Sequence, residues 1–328
     1  MYKPKKHRLE FLKRHGWGKA KISTLAADAS FRHYYRLESE GRTVILMDAS
    51  IDSDSVGPFV EMAQYLRDLG FSAPEVITDD TEEGFVLMED LGDQKFNTLV
   101  TKSTNEEPFY ERAIDVLCAL HEKPTPSWLP PYDEDILLAE ANLLIDWYWP
   151  ALNNNCAPER ARQSYQDAWA EVFSQIDFSP HVTVLRDYHS DNLMWLTNRH
   201  GISAVGLLDF QDALIGPPAY DVVSLLEDAR RDVSRVLVEK MIHRYINRSN
   251  ATSDSFRETY NALGAQRNCK IVGIFTRLWK RDGKDSYLDL IPRVWRLLGQ
   301  NLTEPRLQPV RNWFDHHIPV DLRVKPTQ

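Results

Sequence analysis

The chain has 328 residues, 43% of them hydrophobic and 27% charged, with a net charge of −9, which is the profile of a globular protein long enough for two packed domains. The acidity argues against a broad nucleic-acid surface, and no apolar run approaches the roughly 18 residues of a membrane span. Cys118, Cys156 and Cys269 form no CxxC pair and read as reduced thiols. The basic stretch 1–14 lacks the apolar core of a signal peptide, so the expected location is cytoplasmic.

Taken in chain order, residues 31–37 are rich in aromatics and read as a strand, 38–41 as a turn, and 43–47 as a second, β-prone apolar strand. Pro58 suits the first turn of a helix that runs to Leu69 and stops at Gly70. Another short apolar run, 85–88, ends in Glu89-Asp90-Leu91-Gly92. From Pro108 the pattern turns helical, with Ile114, Leu117, Cys118 and His121 on one face. Residues 124–131 are a loop. Helical patterns return at 134–149, 158–175, 219–230, 234–247 and 255–281. Two short β-like runs, 182–185 and 204–209, lie between them. The expected architecture is a sheet-rich lobe over residues 1–89 and a larger helical lobe over 90–328.

The sharpest chemical signal is Val182-Thr-Val-Leu-Arg-Asp-Tyr-His-Ser-Asp-Asn-Leu-Met194, followed by Gly206-Leu-Leu-Asp-Phe210. An apolar strand delivers Asp187, Asn192 follows five residues on, and a second apolar strand delivers Asp209. Phosphoryl transfer needs these parts: a carboxylate to orient the attacking hydroxyl and accept its proton, and oxygen donors to hold magnesium on nucleotide phosphates. Asp187 is the candidate base, and Asn192 and Asp209 are the candidate magnesium ligands. The plain alternative is a set of turn residues capping strand ends.

These motifs resemble the aminoglycoside phosphotransferase family, whose pattern is H-G-D-x-H-x-x-N, then I-D-[FW], then G-x-x-x-x-D. Asp187-Tyr-His189-Ser-Asp-Asn192, Leu208-Asp209-Phe210 and Gly216-Pro-Pro-Ala-Tyr-Asp221 fit the three parts. The resemblance implies an α+β, bilobal protein-kinase-like fold, a small β-rich N-lobe and a larger helical C-lobe, with ATP and Mg2+ as cofactors. It makes Asp221 a buttress of the catalytic loop and His189 a structural hydrogen-bonding group. Leu185 stands where the family has a loop-supporting histidine. In the N-terminal part, Asp28-Ala-Ser-Phe-Arg-His-Tyr-Tyr-Arg36 resembles the nucleotide loop, with Ser30, Phe31 and Arg32 near the phosphates. Leu87-Met-Glu-Asp-Leu-Gly92 resembles the hinge, where backbone groups of Glu89 and Leu91 would bond adenine. The family's phosphate-binding lysine is missing: its strand carries Met47 and Asp48. Glu61 is the candidate for that lysine's helix partner. Arg32 or Arg36 could supply the cation, magnesium could carry more of the charge, or the chain is a pseudokinase.

A narrower resemblance covers nearly the whole chain. Ser-Phe-Arg-x-Tyr-x-Arg, the Met-Asp strand end, Leu208-Asp-Phe-Gln-Asp212 and the stretch Gln266 to Arg277 with Arg281-Asp-Gly283 look like the anomeric amino-sugar kinases of cell-wall recycling. Their missing lysine is shared here. The resemblance implies phosphorylation of the C1 hydroxyl of N-acetylmuramate and N-acetylglucosamine, a sugar-1-phosphate nucleotidyltransferase downstream, and neither nucleic acid nor membrane as partner. Trp147, within Ile145-Asp-Trp-Tyr-Trp149, is a candidate sugar platform or a packing residue. Arg267, Lys270 and Arg277 are candidates for an acceptor carboxylate or for a solvated face. Asp212 is a candidate for a sugar hydroxyl. Aminoglycoside, choline or homoserine remain open as other acceptors. Asp315-His316-His317 lacks the further ligands a metal site needs.

Overall fold

The computed structural model describes residues 4–25, 32–102, 105–249 and 252–327. In chain order the elements are α1 Pro4–Arg14, β1 Lys21–Thr24, β2 His33–Ser39, β3 Arg42–Asp48, α2 Val56–Asp68, β4 Val76–Asp80, β5 Phe85–Glu89, α3 Phe96–Lys102, α4 Glu107–His121, α5 Glu134–Leu143, a π-helical turn Leu144–Tyr148, α6 Trp149–Asn153 and α7 Glu159–Gln175. There follow β6 Val182–Val184, β7 Leu193–Trp195, β8 Val205–Leu207, β9 Leu214–Gly216, α8 Ala219–Leu226, α9 Arg235–Arg248, α10 Ser253–Asp282, α11 Ile291–Asn301 and α12 Gln308–His317.

The chain forms two compact units, residues 1–116 with 190–213, and residues 117–189 with 214–328. In the first, β1-β2-β3-β5-β4 form one antiparallel sheet. Glu40 and Gly41, both at positive φ, make the two-residue turn between β2 and β3, the geometry that matches strand twist and favours glycine. Side chains alternate across β3. Val44 and Leu46 join Leu37, Phe85 and Leu87 in a cluster that buries Phe11, Leu12 and Trp17, so α1 covers one face. α2 buries Phe59, Met62, Ala63 and Leu66 at helical spacing. The short ribbon of β7 and β8 belongs to this unit. It is tied by bridges Ser72–Gly206 and Lys95–Met194 and by hydrogen bonds from Trp195 N to Gln94 O (2.7 Å) and Leu207 N to Ser72 O (3.0 Å). These pairings join residues far apart in sequence and bring 190–213 into the first unit.

The second unit is built on α10, which is buried on almost every side. Such a helix needs no single apolar stripe. It packs against α5, the π-helical turn, α8 and α11. A Cβ added at Gly273 would lie 2.3 Å from the Leu143 carbonyl. Glycine there lets the α10 backbone reach the point where the π turn begins. Tyr148 in that turn accepts from Val324 N at 3.0 Å and sits 2.7 Å from the Leu322 and Val324 carbonyls, which anchors the final segment. β6 and β9 form a two-stranded ribbon in this unit. Among the described residues no helix is long and apolar enough to cross a membrane.

Candidate active site

The loop after β6 carries Asp187. Its shape is set by Asp221, fully buried in the first turn of α8, whose carboxylate accepts from Leu185 N at 2.7 Å and Arg186 N at 2.8 Å. Two backbone donors that no strand pairs are thereby satisfied. Leu185 is buried at 3% exposure, so this position fills core instead of bonding the loop. Arg186 adopts φ +69°, a left-handed conformation that costs a residue with a Cβ about 1–2 kcal/mol. The family pattern has glycine there.

Asp187 is surrounded by positive charge. Burial alone would raise its carboxyl pKa. Lys270 above all, with Arg267 and Arg186, outweighs burial and holds it below the ordinary 3.8, as opposite charges do. The carboxylate is therefore ionised at neutral pH and able to accept a proton. His189 is buried, its Nε2 3.4 Å from Arg230 and its backbone N–H donating to the Asp187 carbonyl at 3.1 Å. Burial pushes the imidazole pKa down against the pull of Asp228, so the ring is neutral.

Arg267 is buried and Lys270 half-buried, neither on a solvated face. Arg267 is 5% exposed and donates to Ser224 Oγ at 2.9 Å. Lys270 Nζ donates to Glu140 at 2.7 Å and lies 3.4 Å from Tyr220 Oη. Arg277 is also partly buried, and burial lowers its pKa. Trp147 is half-buried in the π turn, next to Asp146, which pairs with Arg162 at 2.7 Å. π-helical turns recur at functional sites.

Asn192 and Asp209 lie in the first unit, at the same end of the antiparallel β7–β8 ribbon. Asn192 Nδ2 donates to Asp209 Oδ2 at 3.2 Å, and the Asn192 carbonyl accepts from Leu208 N at 3.0 Å. The amide orientation leaves the Asn192 Oδ1 as an acceptor, beside a carboxylate whose side chain is 46% exposed. One amide oxygen and one carboxylate form the hard donor set that magnesium takes when phosphate and water complete its shell, so the residues present fit that ion. Asp209 has φ +59°, which aspartate tolerates better than most residues. Phe210 is fully buried and stacks on Phe59 of α2, ring centres 5.2 Å apart, which fixes the turn. Gln211 Nε2 donates to Asp209 at 2.9 Å and to Asp212 at 3.0 Å, and Asp212 is exposed.

In the sheet, Met47 is fully buried. Asp48 accepts from Ser50 N (3.2 Å) and Oγ (2.6 Å) with Arg8 at 3.7 Å. Neither offers a cation, and Glu61 is exposed. Arg36 pairs with Asp90 at 2.7 Å and Asp93 at 2.8 Å. Arg32 differs: it is 7% exposed, donates Nε to Ser55 Oγ at 3.2 Å, and places Nη1 4.0 Å from Asp209 Oδ1. Ser30 and Phe31 lie outside the described residues. Glu89 has its carboxylate on Arg67 and Arg199, and its backbone N–H donates to the Glu75 carbonyl at 2.8 Å. Leu91 is half-buried against Gly206.

Glu140 went unnoticed in the sequence. It sits on α5 and receives Tyr132 Oη, Arg186, Lys270 and Gln266 Nε2. No motif marks it, because its partners Arg186 and Lys270 are 46 and 130 residues away.

Solved structures share this architecture. An ADP-bound aminoglycoside phosphotransferase superposes with a TM-score of 0.63 at 15% identity, over 94% of this chain and 98% of its own. A choline kinase from Streptococcus pneumoniae gives 0.64 at 12%, over 90% and 99%. The fold is thus the α+β, protein-kinase-like one of small-molecule phosphotransferases. The chain belongs to the phosphotransferase enzyme family, whose sequence pattern matches residues 21–258. It is similar to the N-acetylmuramate/N-acetylglucosamine kinase of Caulobacter vibrioides, 35% identical over 95% of this chain and 96% of the relative. It is also similar to that of Neisseria meningitidis serogroup B, 36% identical over 84% of each.

Proposed function

We propose that this protein is an ATP-dependent kinase that phosphorylates the anomeric C1 hydroxyl of N-acetylmuramate and N-acetylglucosamine. The observation that carries the proposal is the state of Asp187: a half-buried carboxylate kept ionised by surrounding cations on a loop shaped by Asp221. Near-full-length similarity to kinases named for those two sugars supports the acceptor class.

Asp187 accepts the proton of the attacking hydroxyl. A carboxylate held below 3.8 is a weak base. It suffices for an anomeric hydroxyl, which is more acidic than an ordinary alcohol, and for a loose transition state that asks little proton removal. Asn192 and Asp209 hold magnesium, which when bound neutralises nucleotide phosphate charge. Arg32 takes the place of the missing lysine, because Arg36 is already paired with Asp90 and Asp93 while Arg32 lies near Asp209. Ser30 and Phe31 contribute to nucleotide binding, and backbone groups of Glu89 and Leu91 bond adenine. Trp147 offers an apolar plane to the sugar, and Asp212 a hydroxyl partner. Arg267 and Lys270 act on the acceptor side through their charge beside Asp187. The protein works in the cytoplasm, and its sugar 1-phosphate feeds a nucleotidyltransferase. ADP release from a panel of N-acetylmuramate, N-acetylglucosamine, aminoglycoside, choline and homoserine tests this. Turnover confined to the last three, or absent with all five, overturns it.

A further inference from the structure

We propose that Glu140 is a positioning residue for Asp187, one buried carboxylate that fixes both Arg186 and Lys270 on the base loop's surroundings. The inference rests on Asp187 being the base. Glu140 is 9% exposed and receives four donors, Tyr132 Oη, Arg186, Lys270 Nζ (2.7 Å) and Gln266 Nε2 (3.3 Å). These come from the loop before α5, the base loop and α10, so one side chain joins three segments. Burying so polar a cluster is worthwhile only when each member is satisfied.

The second observation is the backbone of Arg186. A non-glycine residue at φ +69° persists only where its surroundings over-determine it. Here both ends are held. Asp221 takes the backbone N–H, while Glu140 and the Tyr132 ring, 5.5 Å from the guanidinium carbon, take the side chain. The residue so restrained immediately precedes Asp187. The third observation is charge. Lys270 and Arg186 are two of the cations that bear on Asp187, and burial of Glu140 is outweighed by Lys270 and Arg186, which keep it ionised. Two cations and two carboxylates thus balance. Neutralising Glu140 leaves two half-buried cations facing Asp187 alone and frees the Arg186 side chain, so the loop relaxes and the base loses its aim.

The test is a double-mutant cycle on the full chain, with transfer of labelled phosphate from ATP to N-acetylglucosamine and N-acetylmuramate. Glu140→Gln is expected to lower kcat about 10- to 100-fold, the loss that follows a small misplacement of a reacting group. KM for ATP stays within about twofold, and Glu140→Asp recovers part of kcat. In an Asp187→Asn background the same Glu140→Gln change has no further effect, because it acts through the missing base. A merely structural residue lowers activity equally in both backgrounds, and that result overturns the proposal. Arg186→Gln, which leaves the Glu140–Lys270 pair in place, serves if Glu140→Gln does not fold. It too must lower kcat and fail to add to Asp187→Asn. An inactive Asp187→Asn beside a fully active Glu140→Gln removes this inference alone. A fully active Asp187→Asn removes the base assignment and this inference together.

Discussion

Gly273→Ala probes the packing that sets the π-helical turn and, through it, Trp147. In a free helix this exchange gains about 1 kcal/mol in propensity. Here the new Cβ meets the Leu143 carbonyl carbon and oxygen at 2.3 Å and the Leu143 Cβ at 2.6 Å. These lie about 1 Å inside ordinary contact, and two of the three atoms are main chain, which cannot rotate away. Overpacking of that kind costs about 1–3 kcal/mol, at the upper end when backbones must separate. Subtracting the propensity gain leaves a net loss of about 2 kcal/mol. With a urea slope of about 2–3 kcal/mol per molar, the unfolding midpoint of the full chain falls by roughly 0.7–1 M. Kinetics give a second reading. The π turn shifts with α10, so KM for the sugar rises while KM for ATP stays put. An unchanged or raised midpoint would refute the close contact of α10 with Leu143. A lower midpoint with unaltered sugar KM would detach Trp147 from acceptor binding.

Other expectations follow from the two chemical clusters. Asp187→Asn should lower kcat about 10²- to 10⁴-fold, the usual share of a general base, while ATP still raises the melting temperature; near-full turnover would exclude the base role. Asp209→Asn should weaken magnesium-dependent nucleotide binding itself, seen as loss of the ATP-induced melting shift; an undiminished shift would remove Asp209 from the metal site. The pH dependence has a definite sign. Asp187 is held below 3.8 by Lys270 first among the cations, so the base stays ionised above that pH and is lost only as pH falls below it. The wild-type kcat/KM should show no acid limb from this group between about pH 5 and 7. Lys270→Met removes the foremost lowering charge, so the limb should move up in pH; a downward move would reverse the electrostatic assignment.

Much of this was legible from periodicity. The helix expected at 58–69 is α2, Val56–Asp68, whose apolar residues keep 3.6-residue spacing, and the one at 255–281 is α10, Ser253–Asp282, a long run without proline. The strands at 43–47 and 85–88 appear as β3 and β5 because each is a central, doubly buried apolar run. β4, Val76–Asp80, escaped notice since it is an edge strand with two aspartates and no buried residue. α1 is too charged to announce itself, with Phe11 and Leu12 as fully buried anchors. The helix expected over 134–149 is interrupted by the π turn, which begins where Gly273 of α10 closely approaches Leu143 and ends just before Pro150. The same distinction governs the site. Asp187, Asn192 and Asp209 are short-range spacings on one stretch of chain and can be read by eye. Glu140, the burial of Arg267 and the half-burial of Lys270 are products of long-range packing, which spacing does not encode.

The most direct measurement is phosphorus NMR of the product formed when purified full-length protein, ATP and magnesium are incubated with N-acetylmuramate or N-acetylglucosamine. The expected result is ADP together with a sugar phosphate whose phosphorus couples to the anomeric proton, absent with Asp187→Asn. Folded, ATP-binding protein that yields a 6-phosphate, or no sugar phosphate at all, would contradict the proposed reaction.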